Sequence, residues 1–187
     1  MINLLKNYLK SCYNIKEIRT GRDETVYSAL EIARYIINYA NSHDMIISNL
    51  KLQKILYFVQ LEFLLNKKTC FEDNIEAWDF GPVIPSVYHE FKQYGAFAIP
   101  KISYVYDDSD GLFNLKKISY KPHIEECDKK IIEDVVNECN QYSAGQLVEI
   151  THNQSPWKET YVPHKNKIIT IDSLKNFINS INEVKNG

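Results

Sequence analysis

The chain has 187 residues, 44% of them hydrophobic and 25% charged, a length that suits one domain with a sizeable core. A formal net charge of −2 gives no electrostatic pull toward nucleic acid or an anionic membrane, and no apolar run approaches the roughly 20 residues of a membrane span. Cys12, Cys70, Cys127 and Cys139 form no C-x-x-C, and no leader-like apolar segment opens the chain, so reduced thiols in a cytoplasmic protein are expected.

In chain order, residues 1–26 hold a short apolar-spaced segment (Leu4, Leu5, Tyr8, Leu9) and a polar stretch, read as an appendage of one short helix and a linker. Residues 27–187 are read as the domain proper. Ser28 with Glu31 suits a capping box, and Leu30, Ala33, Ile37 and Ala40 mark one helical face that should end near Asn41-Ser42-His43-Asp44. Ser48 or Asn49 caps the next helix, whose stripe is Leu52, Ile55, Leu56, Val59 and Phe63. Leu61, Leu64 and Leu65 widen that face, so the helix should be central and packed on more than one side.

Trp78-Asp79-Phe80-Gly81-Pro82 reads as an aromatic turn leading into a helix with Pro85 in its first turn, Val87, Phe91 and Tyr94 inward, and Gly95 just past its end. Over residues 101–118 the period changes: Ile102, Tyr104 and Tyr106 alternate, a turn follows at Asp107-Asp108-Ser109-Asp110-Gly111, and a second run predicts a β-hairpin. Helices resume at Asp128, with Ile131 or Ile132, Val135 and Cys139 inward. Ser143 and Gln146 make a second capping box, Ser155-Pro156-Trp157 opens another helix, and Thr170 caps a last one facing inward through Leu174, Phe177, Ile178 and Ile181. The fold class is therefore α+β, predominantly helical, with a small antiparallel hairpin.

The residues that carry chemistry elsewhere are weak here. A calcium loop with Gly111 at its sixth position would put Tyr106 first and Lys117 twelfth, neither a good ligand, so a solvated turn is the simpler account. The histidines (His43, His89, His123, His152, His164) are scattered, and no glycine loop of phosphate-binding spacing is present. Neither a metal nor another cofactor is expected. Cys70 lies in a predicted loop and is the most accessible-looking thiol, with only Lys67 and Lys68 to activate it. Glu72, Asp73, Glu76 and Asp79 surround Trp78 and Phe80. A solvated loop edge is the plain account, and a contact surface for a basic partner is the sharper one. His152 near Pro156-Trp157 is more often a helix-end histidine than a base.

Three blocks taken together are more specific: Leu52-Gln53-Lys54-Ile55-Leu56-Tyr57-Phe58-Val59-Gln60, then Ile75-Glu76-Ala77-Trp78-Asp79-Phe80-Gly81-Pro82-Val83-Ile84-Pro85, then Val87-Tyr88-His89-Glu90-Phe91. With Ser143-Ala144-Gly145-Gln146-Leu147, Thr151-His152 and Ser155-Pro156-Trp157-Lys158 downstream, the chain resembles the Panacea domain, the SocA-like, phage-associated (GepA-like) antitoxin family. The resemblance runs from about Tyr27 to Phe177. It implies an antitoxin that neutralises a cognate protein toxin, usually encoded by the adjacent gene, through direct protein–protein binding. Some members deliver the toxin to a protease, and others carry an added DNA-binding region, for which residues 1–26 are too short and too weakly basic.

The family-motif and interaction candidates are Lys54, Tyr57, Gln60, Glu76, Trp78, Phe80, Gly81, Pro82, Tyr88, His152, Pro156 and Trp157. No catalytic residue is assigned. Two alternatives stand beside the antitoxin: a phage-encoded regulator of another host protein, and a hydrolase using His152 with an acidic partner.

Overall fold

The computed structural model describes residues 25–107 and 115–186. The expected helix and linker of residues 1–26 and the turn centred on Asp108 to Gly111 fall, but for their last and first residues, outside the described range.

Helix α1 (Ala29–Ser42) starts where Ser28 Oγ accepts from the Glu31 amide, half of the expected box. The Glu31 carboxylate does not return to the cap. It accepts instead from the His123 amide and the Tyr120 hydroxyl, long-range partners that outcompete the local one. The buried face is Ala29, Ile32, Ala33, Ile36, Ile37 and Ala40, wider than the expected stripe, and Leu30 sits at its margin.

Helix α2 (Asn49–Leu65), capped by Ser48, is the centre of the molecule. All of its residues from Lys51 through Leu64 are buried, the polar ones included. Neighbouring elements enclose it on all sides, so a buried leucine such as Leu56 cut to alanine would cost about 2–5 kcal/mol.

The aromatic turn between helices proves to be the tip of a hairpin. Strands β1 (Ile75–Trp78) and β2 (Gly81–Val83) pair antiparallel, with Trp78 opposite Gly81 around Asp79 and Phe80. Helix α3 (Pro85–Phe91) follows with Pro85 in its first turn, then a 3₁₀ turn (Lys92–Tyr94) ended by Gly95 at φ 54°. The predicted hairpin is β3 (Tyr104–Asp107) with β4 (Lys116–Ser119), Tyr104 opposite Ser119. Its alternation buries little: Tyr104, Tyr106 and Ile118 are all exposed.

Helix α4 (Glu126–Asn140) turns Ile132, Val135, Val136 and Cys139 inward. Its first turn also buries Asp128, whose carboxylate accepts from the Tyr27 hydroxyl at 2.8 Å and pairs with Lys68 at 3.0 Å. Helix α5 (Ala144–His152) opens on the complete Ser143–Gln146 capping box, and α6 (Ser155–Thr160) follows.

Strand β5 (Lys167–Ile169), which the periodicity did not predict, pairs antiparallel with β1, giving a sheet in the order β2-β1-β5. Helix α7 (Ile171–Asn186) closes the chain, with the Ser173 amide on Thr170 Oγ1 and Leu174 and Ile178 buried. Among the described residues no helix is long and apolar enough to cross a membrane.

Candidate functional site

All the candidate residues but Gln60 gather around the β1–β2 hairpin, which α2 supports from beneath and the α5–α6 corner from the side. Lys54 projects from α2 and is fully buried; its Nζ donates to the Pro82 carbonyl at 2.7 Å and meets no carboxylate among the described residues. Burial alone lowers its pKa from the ordinary lysine value to about 7, because removing an ammonium from water penalises the charged form.

Gly81 is held against this lysine at φ 95°, where a side chain is strained. A Cβ there would lie 2.8 Å from Thr151 Oγ1 and 3.0 Å from Lys54 Cε, so backbone and side chains close up with no room for a methyl.

Neighbouring polar groups fix the rest of the hairpin. Gln53 Oε1 accepts from the Ile84 amide at 2.9 Å, and its Nε2 donates to Asn49 Oδ1, which in turn reaches the Tyr88 carbonyl through its own amide. Trp157 Nε1 donates to the Trp78 carbonyl at 2.9 Å. The Trp157 ring is the middle of a three-ring stack, with His152 at 3.8 Å and Tyr161 at 4.5 Å, and Tyr161 donates to Asp79 Oδ1 at 2.9 Å. Tyr57, fully buried, donates to Gln154 Oε1 at 2.7 Å.

The twelve candidates therefore divide. Lys54, Tyr57, Gly81, Pro82, Pro156 and Trp157 are buried supports. Gln60 is a support of another segment: its amide accepts from the Cys70 and Phe71 amides and donates to the Phe71 carbonyl, away from the hairpin. Glu76, Trp78, Tyr88 and His152 are half-buried, with Trp78 Nε1 donating to Glu76 Oε2 at 2.7 Å and the Tyr88 ring edge-on to Trp78 at 4.9 Å. Phe80, at the tip, is 68% exposed.

The acidic residues around Trp78 disperse rather than forming one cluster. Asp73 accepts from the Ala29 amide and from Ser86 Oγ, Glu76 holds the indole, and Asp79 takes Tyr161 with His164 at 3.9 Å.

The groups weighed for chemistry are poorly disposed for it. Cys70 is fully buried, contrary to the expectation of an accessible thiol, because Gln60 pulls its backbone into the core. Burial first, then Asp128, push its thiol well above the ordinary cysteine range, away from the reactive thiolate. His152 is lowered by burial and by Lys54, its Nε2 is buried with no hydrogen-bond partner, and no carboxylate contacts it among the described residues. Gln154 Nε2 is likewise buried without a partner among the described residues.

Gln53, Asn49, Thr151 and Tyr161 belong to the site but are absent from the twelve sequence candidates. For Gln53 a signal existed: a polar side chain on a helix with apolar residues all round must be buried and bonded.

Residues 52–158 match the family described as Antitoxin SocA-like, Panacea domain. The chain belongs to that family. It is 34% identical over 138 residues to Antitoxin SocA of Caulobacter vibrioides (strain NA1000 / CB15N), a match covering 73% of this chain and 71% of that protein. No solved structure matches. The matched segment of this SocA-like chain runs from the first turns of α2 into α6, and so encloses all twelve candidates and the β1–β2 hairpin.

Proposed function

We propose that the chain is a cytoplasmic antitoxin that neutralises a cognate protein toxin, encoded by the adjacent gene, through direct protein–protein contact at the β1–β2 hairpin. The observation that carries this reading is Phe80, a large aromatic side chain 68% exposed on a turn whose flanks are both pinned to the core. A preformed aromatic anchor loses little conformational entropy on binding, and such anchors dominate interface energetics. Trp78, Tyr88 and the carboxylates of Glu76 and Asp79 extend the same surface. Family membership and the name of the Caulobacter relative support the antitoxin role. Neutralisation by contact requires complementary surface and no reactive group, which agrees with the buried thiol of Cys70.

The test is co-expression with the adjacent gene's product, scoring growth rescue and co-purification. Rescue accompanied by a stable complex is the expected result. A toxic neighbour that is neither rescued nor bound would remove the proposal. Toxin abundance in the rescued cells separates two routes: a steady level marks simple masking, and a falling level marks delivery to a protease.

A further inference from the structure

The two edges of the three-stranded sheet are finished differently. Pro82 has no N–H, so its pairing with Ala77 is of the non-hydrogen-bonded kind and its carbonyl faces away from β1. Lys54 occupies that carbonyl, and all of β2 is buried. That edge is closed. On β1 the same alternation turns Glu76 and Trp78 toward β2, leaving Ile75 and Ala77 to bond Ile169 and Lys167 of β5. Ile168, between them, therefore aims its own N–H and C=O out of the sheet, and no hydrogen bond to either is found among the described residues. Residues 163–168 are exposed without a break, and the Ile168 side chain is 50% exposed. Lys167, next to it in the strand, and Lys165, in the turn that leads into β5, have no ion-pair partner among the described residues.

We propose that this β5 edge receives an extended, acidic segment of the protein partner as an added strand, with an apolar residue opposite Ile168 and carboxylates facing Lys165 and Lys167. This rests on the reading that the chain binds a protein toxin. Strand addition draws affinity from main-chain hydrogen bonds at an open edge and selectivity from the side chains beside it. The two lysines choose an acidic strand over a second copy of this chain, which would bring the same cations to the seam from both sides.

Ile168→Pro is the deciding variant: it deletes the outward N–H and leaves the β1-facing bonds, the edge position where proline is tolerated. Binding of the co-expressed adjacent-gene product should fall about tenfold, against less than about threefold for Ile168→Thr, which keeps the amide. Lys165→Glu with Lys167→Glu should weaken binding about tenfold and flatten its salt dependence. In the wild-type chain the Ile168 amide, fast-exchanging when free, should become protected in the complex, a measurement independent of whether the proline variant folds. Wild-type affinity in a folded Ile168→Pro, or an Ile168 amide unprotected in the complex, overturns the proposal and leaves the antitoxin reading intact. If the adjacent product does not bind at all, the antitoxin reading fails, and a hexapeptide of alternating Glu and Val titrated into the wild-type chain decides the edge. A shift of the Ile168 amide supports it, and no shift overturns it. A free chain already dimeric with Ile168 protected assigns the edge to a second copy and also overturns the proposal.

Discussion

Lys54 and Pro82 meet in the core as an amine and a proline carbonyl 2.7 Å apart, with no carboxylate among the described residues to balance the charge. A buried amine held by one neutral oxygen favours its uncharged form. Stability should therefore depend on pH through this one side chain. The folded value is about 7 and the unfolded one is the ordinary lysine value of 10.5, so between them the unfolded chain binds the extra proton and stability rises with pH. The gain is absent below about pH 7 and complete above the unfolded value. Lys54→Met, which keeps the volume and drops the charge, should remove that slope, at most about 1.4 kcal/mol per pH unit. Denaturant melts of both proteins from pH 6 to pH 9 check it; parallel curves would show that Lys54 does not titrate in that range.

Gly81→Ala should destabilise by about 2–4 kcal/mol, since it combines a positive φ with contacts too close for a Cβ. The measurement is chemical unfolding. A loss under about 0.5 kcal/mol would mean that the hairpin and Thr151 shift apart easily.

Phe80 and Trp157 should behave in opposite ways, one being 68% exposed and the other 9%. Phe80→Ala should leave stability within about 0.5 kcal/mol and weaken toxin binding about tenfold or more. Trp157→Ala should cost about 3–5 kcal/mol of stability, because it opens the ring stack and frees the Trp78 carbonyl. Paired unfolding and binding measurements distinguish the anchor from the support. Equal stability losses would erase the distinction.

Thiol labelling of the native protein, read peptide by peptide, should modify Cys127 readily and leave Cys70 and Cys139 protected. The first is exposed and the other two are buried, with burial pushing the Cys139 thiol up to about 12. In denaturant all three should react. Fast native labelling of Cys70 would show that the loop held by Gln60 opens.

The features legible in the sequence were those with local causes. Ser28, Ser48, Ser143 and Thr170 each accept an amide within three residues, and the stripe of α2 recurs with the helical period. The β2-β1-β5 sheet was illegible for the opposite reason. Its strands are three or four residues long, Gly81-Pro82 carries the signature of a turn, and Lys167-Ile168-Ile169 becomes a strand only because Ile75 and Ala77 lie beside it. Cys70 misled because a loop position suggests exposure, whereas Gln60, ten residues earlier, draws that backbone inside.

The amino-acid sequence by itself determined where α1, α2, α5 and α7 begin, that α2 would be central, and which blocks mark the family, because caps, periods and motifs act over a few neighbouring residues. Only the tertiary structure decided that Lys54 would be a buried support, Phe80 an exposed tip, and Ile168 an open edge. Burial, strand pairing and charge balance depend on which distant segments come to lie within a few ångströms of each side chain.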